Sequence, residues 1–134
     1  MSKYLVFSDM IFADRGCLLA ALAELGFGED RVEQGERLSL YGYRGDRRPE
    51  TADVVIRRKH IDAAANDVGF VRQGGGYVPI VSEYDQGAFM QGRFLTRLKV
   101  AYGEAAARRI AERVRGSVQR RVEGGKIVIT VRCP

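Results

Sequence analysis

Apolar positions along this chain fall into two helical stripes separated by short runs that alternate or bunch like strands. Lys3 to Ser8 is a β-prone run and predicts the first strand. Asp14 follows as a helix cap, since its carboxylate can accept from free first-turn amides. Leu18, Ala21, Leu22 and Leu25 recur at helical spacing on one face. Gly26 supplies a left-handed stop, and Phe27 can fold back over the last turn.

From Arg31 to Val81 the texture becomes strand-like. Leu38 and Leu40 alternate up to Gly42, and the polar stretch Arg44 to Thr51, with Gly45, Asp46 and Pro49, predicts a solvated loop. Val54-Val55-Ile56 is an unbroken β-branched triplet, as expected of a strand covered on both faces. Val68 to Arg72 and Tyr77 to Val81 flank Gly74-Gly75-Gly76 and predict a hairpin.

A second helix is predicted to begin between Gln86 and Phe89, with an apolar stripe of Leu95, Leu98, Tyr102, Ala106 and Ile110. Arg109 and Arg113 fall on the side of that stripe. Either the helix runs past the sheet there or the two guanidiniums meet carboxylates across a contact; the snorkelling of long cationic side chains favours the first. Val118 to Val122 and Ile127 to Val131 flank Gly124-Gly125, a strong hairpin signal because tight two-residue turns need positive φ. The order predicts a single α+β domain over residues 1–134. Its antiparallel or mixed sheet carries two helices on one face, and a C-terminal β-hairpin closes the chain.

Composition changes this picture in one respect. The net charge of +5 divides unevenly: residues 1–92 carry 11 Lys/Arg against 14 Asp/Glu, and residues 93–134 carry 11 against 3. The balances are −3 and +8. A local field of that kind favours an anionic partner, either an acidic protein face or nucleic acid. No apolar run approaches the ~20 residues of a membrane span. With no export signal at the start, a cytoplasmic protein with reduced Cys17 and Cys133 is expected, a clasp between them being the minor alternative.

Chemistry-bearing motifs are sparse. His60, the one histidine, follows Arg57-Arg58-Lys59 and has no ligand-spaced partners, so a loop role is expected and no metal or cofactor is implied. Gly74-Gly75-Gly76 precedes a strand-like run, whereas phosphate loops open helices. Asp53, Arg57, Arg58, Asp67, Glu83, Tyr84 and Asp85 fall at the ends of adjacent predicted strands. They read as an ion-pair cluster, alternatively as a polar recognition site, and only weakly as an enzyme site. Arg93, Arg97, Arg108 and Arg115 share a narrow helical arc opposite the predicted stripe, interrupted by Glu104, and Arg120 and Arg121 extend the charge into the hairpin. With Arg109 and Arg113 they form the candidate binding set. The bland alternative is a solvated helix face, and the arc lacks the aromatics that single-strand nucleic-acid binding uses.

Several stretches carry a family resemblance. They are Leu22-Ala23-Glu24-Leu25-Gly26-Phe27, Tyr41-Gly42-Tyr43-Arg44-Gly45, Arg47 through His60, Ala64 through Val71, and Ile80-Val81-Ser82-Glu83-Tyr84-Asp85. Here the chain resembles the domain of unknown function 1257, which includes the hypothetical chloroplast reading frame 35 proteins of plastids and cyanobacteria. The likeness covers nearly the whole chain. Lys3 departs from the histidine that members often have there, and the family's aromatic-rich segment in the second helix is reduced to Val100-Ala101-Tyr102-Gly103. The resemblance implies no activity, cofactor or catalytic residue. Bacterial members are often encoded beside an AAA-type ATPase, which implies an accessory or adaptor role. The expected function is therefore a protein-interaction module with an acidic partner, with nucleic-acid binding through residues 93–134 as the alternative.

Overall fold

A computed structural model describes residues 2–114 and 117–132, and in residues 117–119, 131 and 132 the backbone alone. The element order is β1 (Tyr4–Val6), α1 (Arg15–Glu24), β2 (Glu33–Tyr41), β3 (Arg47–Ile56), β4 (Val68–Gln73), β5 (Gly76–Ser82), α2 (Glu83–Ala88), α3 (Phe94–Arg113), β6 (Ser117–Glu123) and β7 (Lys126–Arg132). The first five strands form one antiparallel sheet in the order β1-β5-β4-β3-β2, and β6 and β7 form a separate two-stranded hairpin. The fold is α+β, as the sequence pattern predicts.

The helix α1 begins and ends as expected. Asp14 Oδ1 accepts from the Cys17 amide at 2.9 Å. At the other end the Phe27 amide donates to the Leu22 carbonyl at 2.9 Å and the Gly26 amide to Ala23 at 3.0 Å, the paired bonds of a Schellman stop. Leu18, Ala21 and Leu22 are buried against the sheet and against α3. From the sheet, Val54, Ile56, Val68, Phe70 and Val81 meet them. Phe12, Phe27, Phe89 and Phe94 fill the remaining space, with Phe89 and Phe94 stacked at 4.2 Å.

Burial of Val54, Val55 and Ile56 on both faces confirms the reading of the triplet. The second face is covered by the sheet itself. Tyr4, Leu40, Ala52, Val55 and Ile80 form a smaller core there. The outer half of the β2–β3 pair bends across this face, so that Arg48 Nη2 donates to the Ser2 carbonyl at 3.0 Å and its guanidinium lies 5.3 Å from the Tyr4 ring. That bend corrects the loop expected from Arg44 to Thr51: from Arg47 onward the chain is strand, paired Tyr41 to Arg47 and Ser39 to Thr51. Pro49 falls where this register shifts, a position that tolerates a missing N–H.

The second helix also differs from expectation. A short α2, capped by the Ser82 hydroxyl, ends at Ala88, and Met90 and Gln91 take left-handed φ values of 52° and 60°. This costly break sets Phe89 against Phe94 and delays α3 to Phe94. The buried face of α3 starts at Phe94, Leu98 and Ala101 and then drifts to Ala107 and Ala111, leaving Ile110 54% exposed. The drift has a cause: the later turns face the β6–β7 hairpin, where Ile129 approaches Gly103 to within ordinary contact of a Cβ built there. Both glycine hairpins form as predicted, Gly74-Gly75 and Gly124-Gly125 each with two positive φ values. No helix among the described residues is long and apolar enough to cross a membrane.

Candidate functional site

The predicted strand-end cluster resolves into a buried knot and three outlying residues. At the knot's centre is Asp67, 1% exposed at the start of β4. Its Oδ1 accepts from the Arg58 amide at 2.8 Å, and Oδ2 accepts from the Tyr41 amide and Arg57 Nη1, each at 2.8 Å. Arg57 also donates to the Ser39 carbonyl at 2.6 Å and to Glu33, and its guanidinium lies 5.7 Å from the Tyr41 ring. Burial alone would lower the Arg57 pKa, but the bonds to Glu33 and Asp67 outweigh it and raise it. Bonding to Arg57 holds Glu33 below the ordinary carboxylate range. Arg58 donates to the carbonyls of Ala65 and Ala63, at 2.9 and 2.8 Å, and closes the intervening loop on itself. Through these bonds the knot pins β2, β3 and β4 together at one end of the sheet.

A second buried group adjoins it through Asn66. The Asn66 amide and side-chain Nδ2 donate to Asp85 Oδ2 at 3.0 and 3.1 Å, and the Ser82 hydroxyl donates to the same oxygen at 2.8 Å. Asn66 Oδ1 in turn accepts from the Tyr43 amide at 2.9 Å. Desolvation pushes the Asp85 carboxyl upward despite these bonds. Of the other predicted cluster members, Asp53 stands apart and accepts from the Arg37 and Arg72 amides at 3.2 and 2.8 Å. Glu83 and Tyr84 are exposed at the start of α2. Asn66, Ser82 and Glu33 went unrecognised in the sequence, as did Tyr4, whose hydroxyl donates to the Asp67 carbonyl at 2.7 Å. Ser82 and Asp85 did carry a signal, the Ser-x-x-Asp spacing of a helix start. His60 sits half-buried in a short 3₁₀ turn, Arg58–His60.

Two hollows share Phe7 and Met10, from the segment after β1, as part of their walls. One, of about 520 Å³, runs between the Val6-to-Phe12 loop and Lys99, Tyr102 and Gly103 of α3. Its charged groups are Asp9 and Lys99, and Tyr102 Oη is already engaged by the Asp14 amide at 2.9 Å. The other, of about 230 Å³, is lined by Phe7, Met10, Val81, Phe94 and Leu95 with Asp85 at one side. Neither gathers a nucleophile, a base and an oxyanion donor in one place.

The basic set divides by its partners. Arg109 Nη1 donates to Asp14 Oδ2 at 2.6 Å, across the contact between α1 and α3. For this residue the carboxylate alternative holds, and the favoured overrun does not account for it. The Cys17 amide, and after it Arg109, holds the Asp14 carboxyl below its usual range. Arg113 is exposed and has no ion pair among the described residues, as an overrunning helix end would leave it. Arg120 pairs with Glu104 at 2.9 Å and Arg121 with Glu123 at 3.2 Å. Arg93, Arg97 and Arg108 are exposed and, among the described residues, make no ion pair. Their arc adjoins the buried face at Phe94, Leu98 and Ala101 instead of opposing it, because the true stripe is rotated from the expected one. Arg115 and Cys133 lie outside the described residues, and with them any test of a Cys17–Cys133 clasp.

Among the large apolar side chains, Ile110, Val114, Val122 and Ile127 are exposed on the same third of the chain; the exposed aromatics, Tyr41, Tyr43 and Tyr84, all lie elsewhere. Comparison of the chain with family models, with curated proteins and with solved structures finds no match in any of the three.

Proposed function

We propose that this protein is a non-enzymatic interaction module that docks an acidic protein face through α3 and the C-terminal hairpin. One observation carries the reading: exposed aliphatics Ile110, Val114, Val122 and Ile127 share this third of the chain with the exposed cations Arg93, Arg97, Arg108 and Arg113. Protein interfaces combine apolar contact with arginine, whereas a surface that tracks phosphates needs cations, with aromatics where bases stack. The resemblance to the domain of unknown function 1257 makes an AAA-type ATPase, or a protein handled by one, the first partner to test.

The test is affinity capture at low and raised salt, with nuclease treatment, using wild type and a variant with Arg93, Arg97, Arg108 and Arg113 replaced by glutamate. The expected result is an acidic protein held by wild type, released by salt, unaffected by nuclease and lost in the variant. Retention of nucleic acid alone, or of the same protein by both forms, would refute the reading.

A further inference from the structure

We infer that the outer edge of β7 is a strand-docking site for an extended acidic segment of a partner protein. This rests on the interaction reading above and gives it a geometry.

The large sheet guards its edges. One edge strand, β1, is three residues long. The other, β2, is broken by register shifts and by Arg37 at φ 51°, and carries Glu33, Glu36 and Arg37. Short, bulged and charged edges resist pairing with other chains. The hairpin differs. β6 has Arg120, Arg121 and Glu123 among its seven residues, but β7 confines its charge to Lys126 and Arg132 and reads Ile-Val-Ile-Thr-Val between them. Among the described strands this is the unguarded edge.

Register identifies the free groups. Glu123 pairs with Lys126 across the two-residue turn, so that pair and every second one after it exchange hydrogen bonds. The amides of Lys126, Val128 and Thr130 therefore point at β6, and those of Ile127, Ile129 and Val131 point away from it. Among the described residues no backbone or side-chain group bonds to these three. The hairpin packs on α3 by its face, through Ile129 near Gly103 and Arg120 on Glu104, which among the described residues leaves this edge open.

Charge selects the occupant. Residues 117–132 hold four cations against Glu123; Arg120 and Arg121 pair with Glu104 and Glu123, and the other two, Lys126 and Arg132, stand at the two ends of β7. A second copy is disfavoured: antiparallel self-pairing centred on Ile129 would set position 126 opposite position 132, lysine against arginine, and like charges directly opposite repel. A partner strand with a β-branched centre and a carboxylate at each end satisfies both the ladder and the charge. This is β-augmentation, in which main-chain bonds give affinity and alternate side chains give specificity.

The probe is a labelled seven-residue peptide alternating valine with glutamate, against the same peptide N-methylated on the amides of one edge. Anisotropy should show the plain peptide binding and the methylated one at least about tenfold weaker, since each lost backbone bond is worth up to that factor. Ile127→Pro removes an outward N–H without touching a hairpin bond and should weaken the plain peptide about tenfold, by the same measure. Amide exchange at Ile127 and Ile129 should slow on binding. Equal binding of both peptides would overturn the edge site while leaving a charged docking surface intact. No binding of either, or a concentration-dependent dimer that Ile127→Pro abolishes, would overturn it as well.

Discussion

Replacing Asp67 by alanine tests whether the buried knot at the head of β4 holds the sheet's bend. The substitution strips the acceptor from two backbone amides, Tyr41 and Arg58, and from Arg57 Nη1. Each stranded amide costs about 1 kcal/mol, toward the low end because water reaches the partly buried site. Arg57 keeps Glu33 and the Ser39 carbonyl, so its loss is about 1–2 kcal/mol and not the 3–5 of a buried ion left with no partner. The sum is about 3–4 kcal/mol, a large share of the roughly 5–15 kcal/mol that holds a domain together. With an unfolding entropy of about 2.1 cal/mol/K per residue over 134 residues, the melting temperature should fall by roughly 11–14 °C. Calorimetry with Asp53→Ala as the control reads this directly. Asp53 also accepts from two amides, but at an exposed site, so its loss should cost about 1 kcal/mol or less. If Asp67→Ala melts no lower than the control, the knot does not carry the bend.

Other outcomes follow from the same structure. Asp85 has a folded pKa raised above its unfolded value near about 4, so the folded state binds the extra proton. Its contribution is fully present below that pH and is lost as pH rises through the folded value. Urea titrations should therefore show Asp85→Asn gaining on wild type between acidic and neutral pH, and a pH-independent difference would count against this. Gly76→Ala would place a Cβ 2.7 Å from the Phe12 carbonyl oxygen and 2.9 Å from Ala13 Cα, neither of which can swing aside. It should cost at least about 2–3 kcal/mol, the upper range for overpacking, and a near-neutral denaturation midpoint would show that the Phe12–Tyr77 bridge can yield. Burial, with Asp14 beside it, pushes the Cys17 thiol upward. In a Cys133→Ser background Cys17 should react slowly with a disulfide reagent when folded and quickly in urea; fast reaction of the folded form would contradict its burial.

Local rules carried the sequence reading where local interactions decide. Asp14, Gly26 and the two glycine hairpins act through neighbours within a few residues, and each forms as read. Val54-Val55-Ile56 reported burial on both faces, but not that the far cover is the bent β2–β3 pair, which joins residues as distant as Ser2 and Arg48. The stripe on α3 holds in its first turns, where Leu98 is buried and Leu95 and Tyr102 pack on the core, and fails by Ile110, because two different surfaces cover the helix in turn and no single period fits both. Arg109 looked like an overrun because its partner, Asp14, is 95 positions away. Asp67 and Asp85 were visible as charged residues at strand ends. Asn66, which links their two groups, is an ordinary loop residue until the fold buries it.

The most direct measurement of the docking surface is an NMR titration of the isotope-labelled protein with a hepta-glutamate peptide at low and raised salt. Chemical-shift changes should concentrate at Arg93, Arg97, Arg108, Arg113 and the β6–β7 hairpin, and vanish with salt. Changes centred on the Asp67 end of the sheet, or absent at low salt, would contradict an acidic partner docking there.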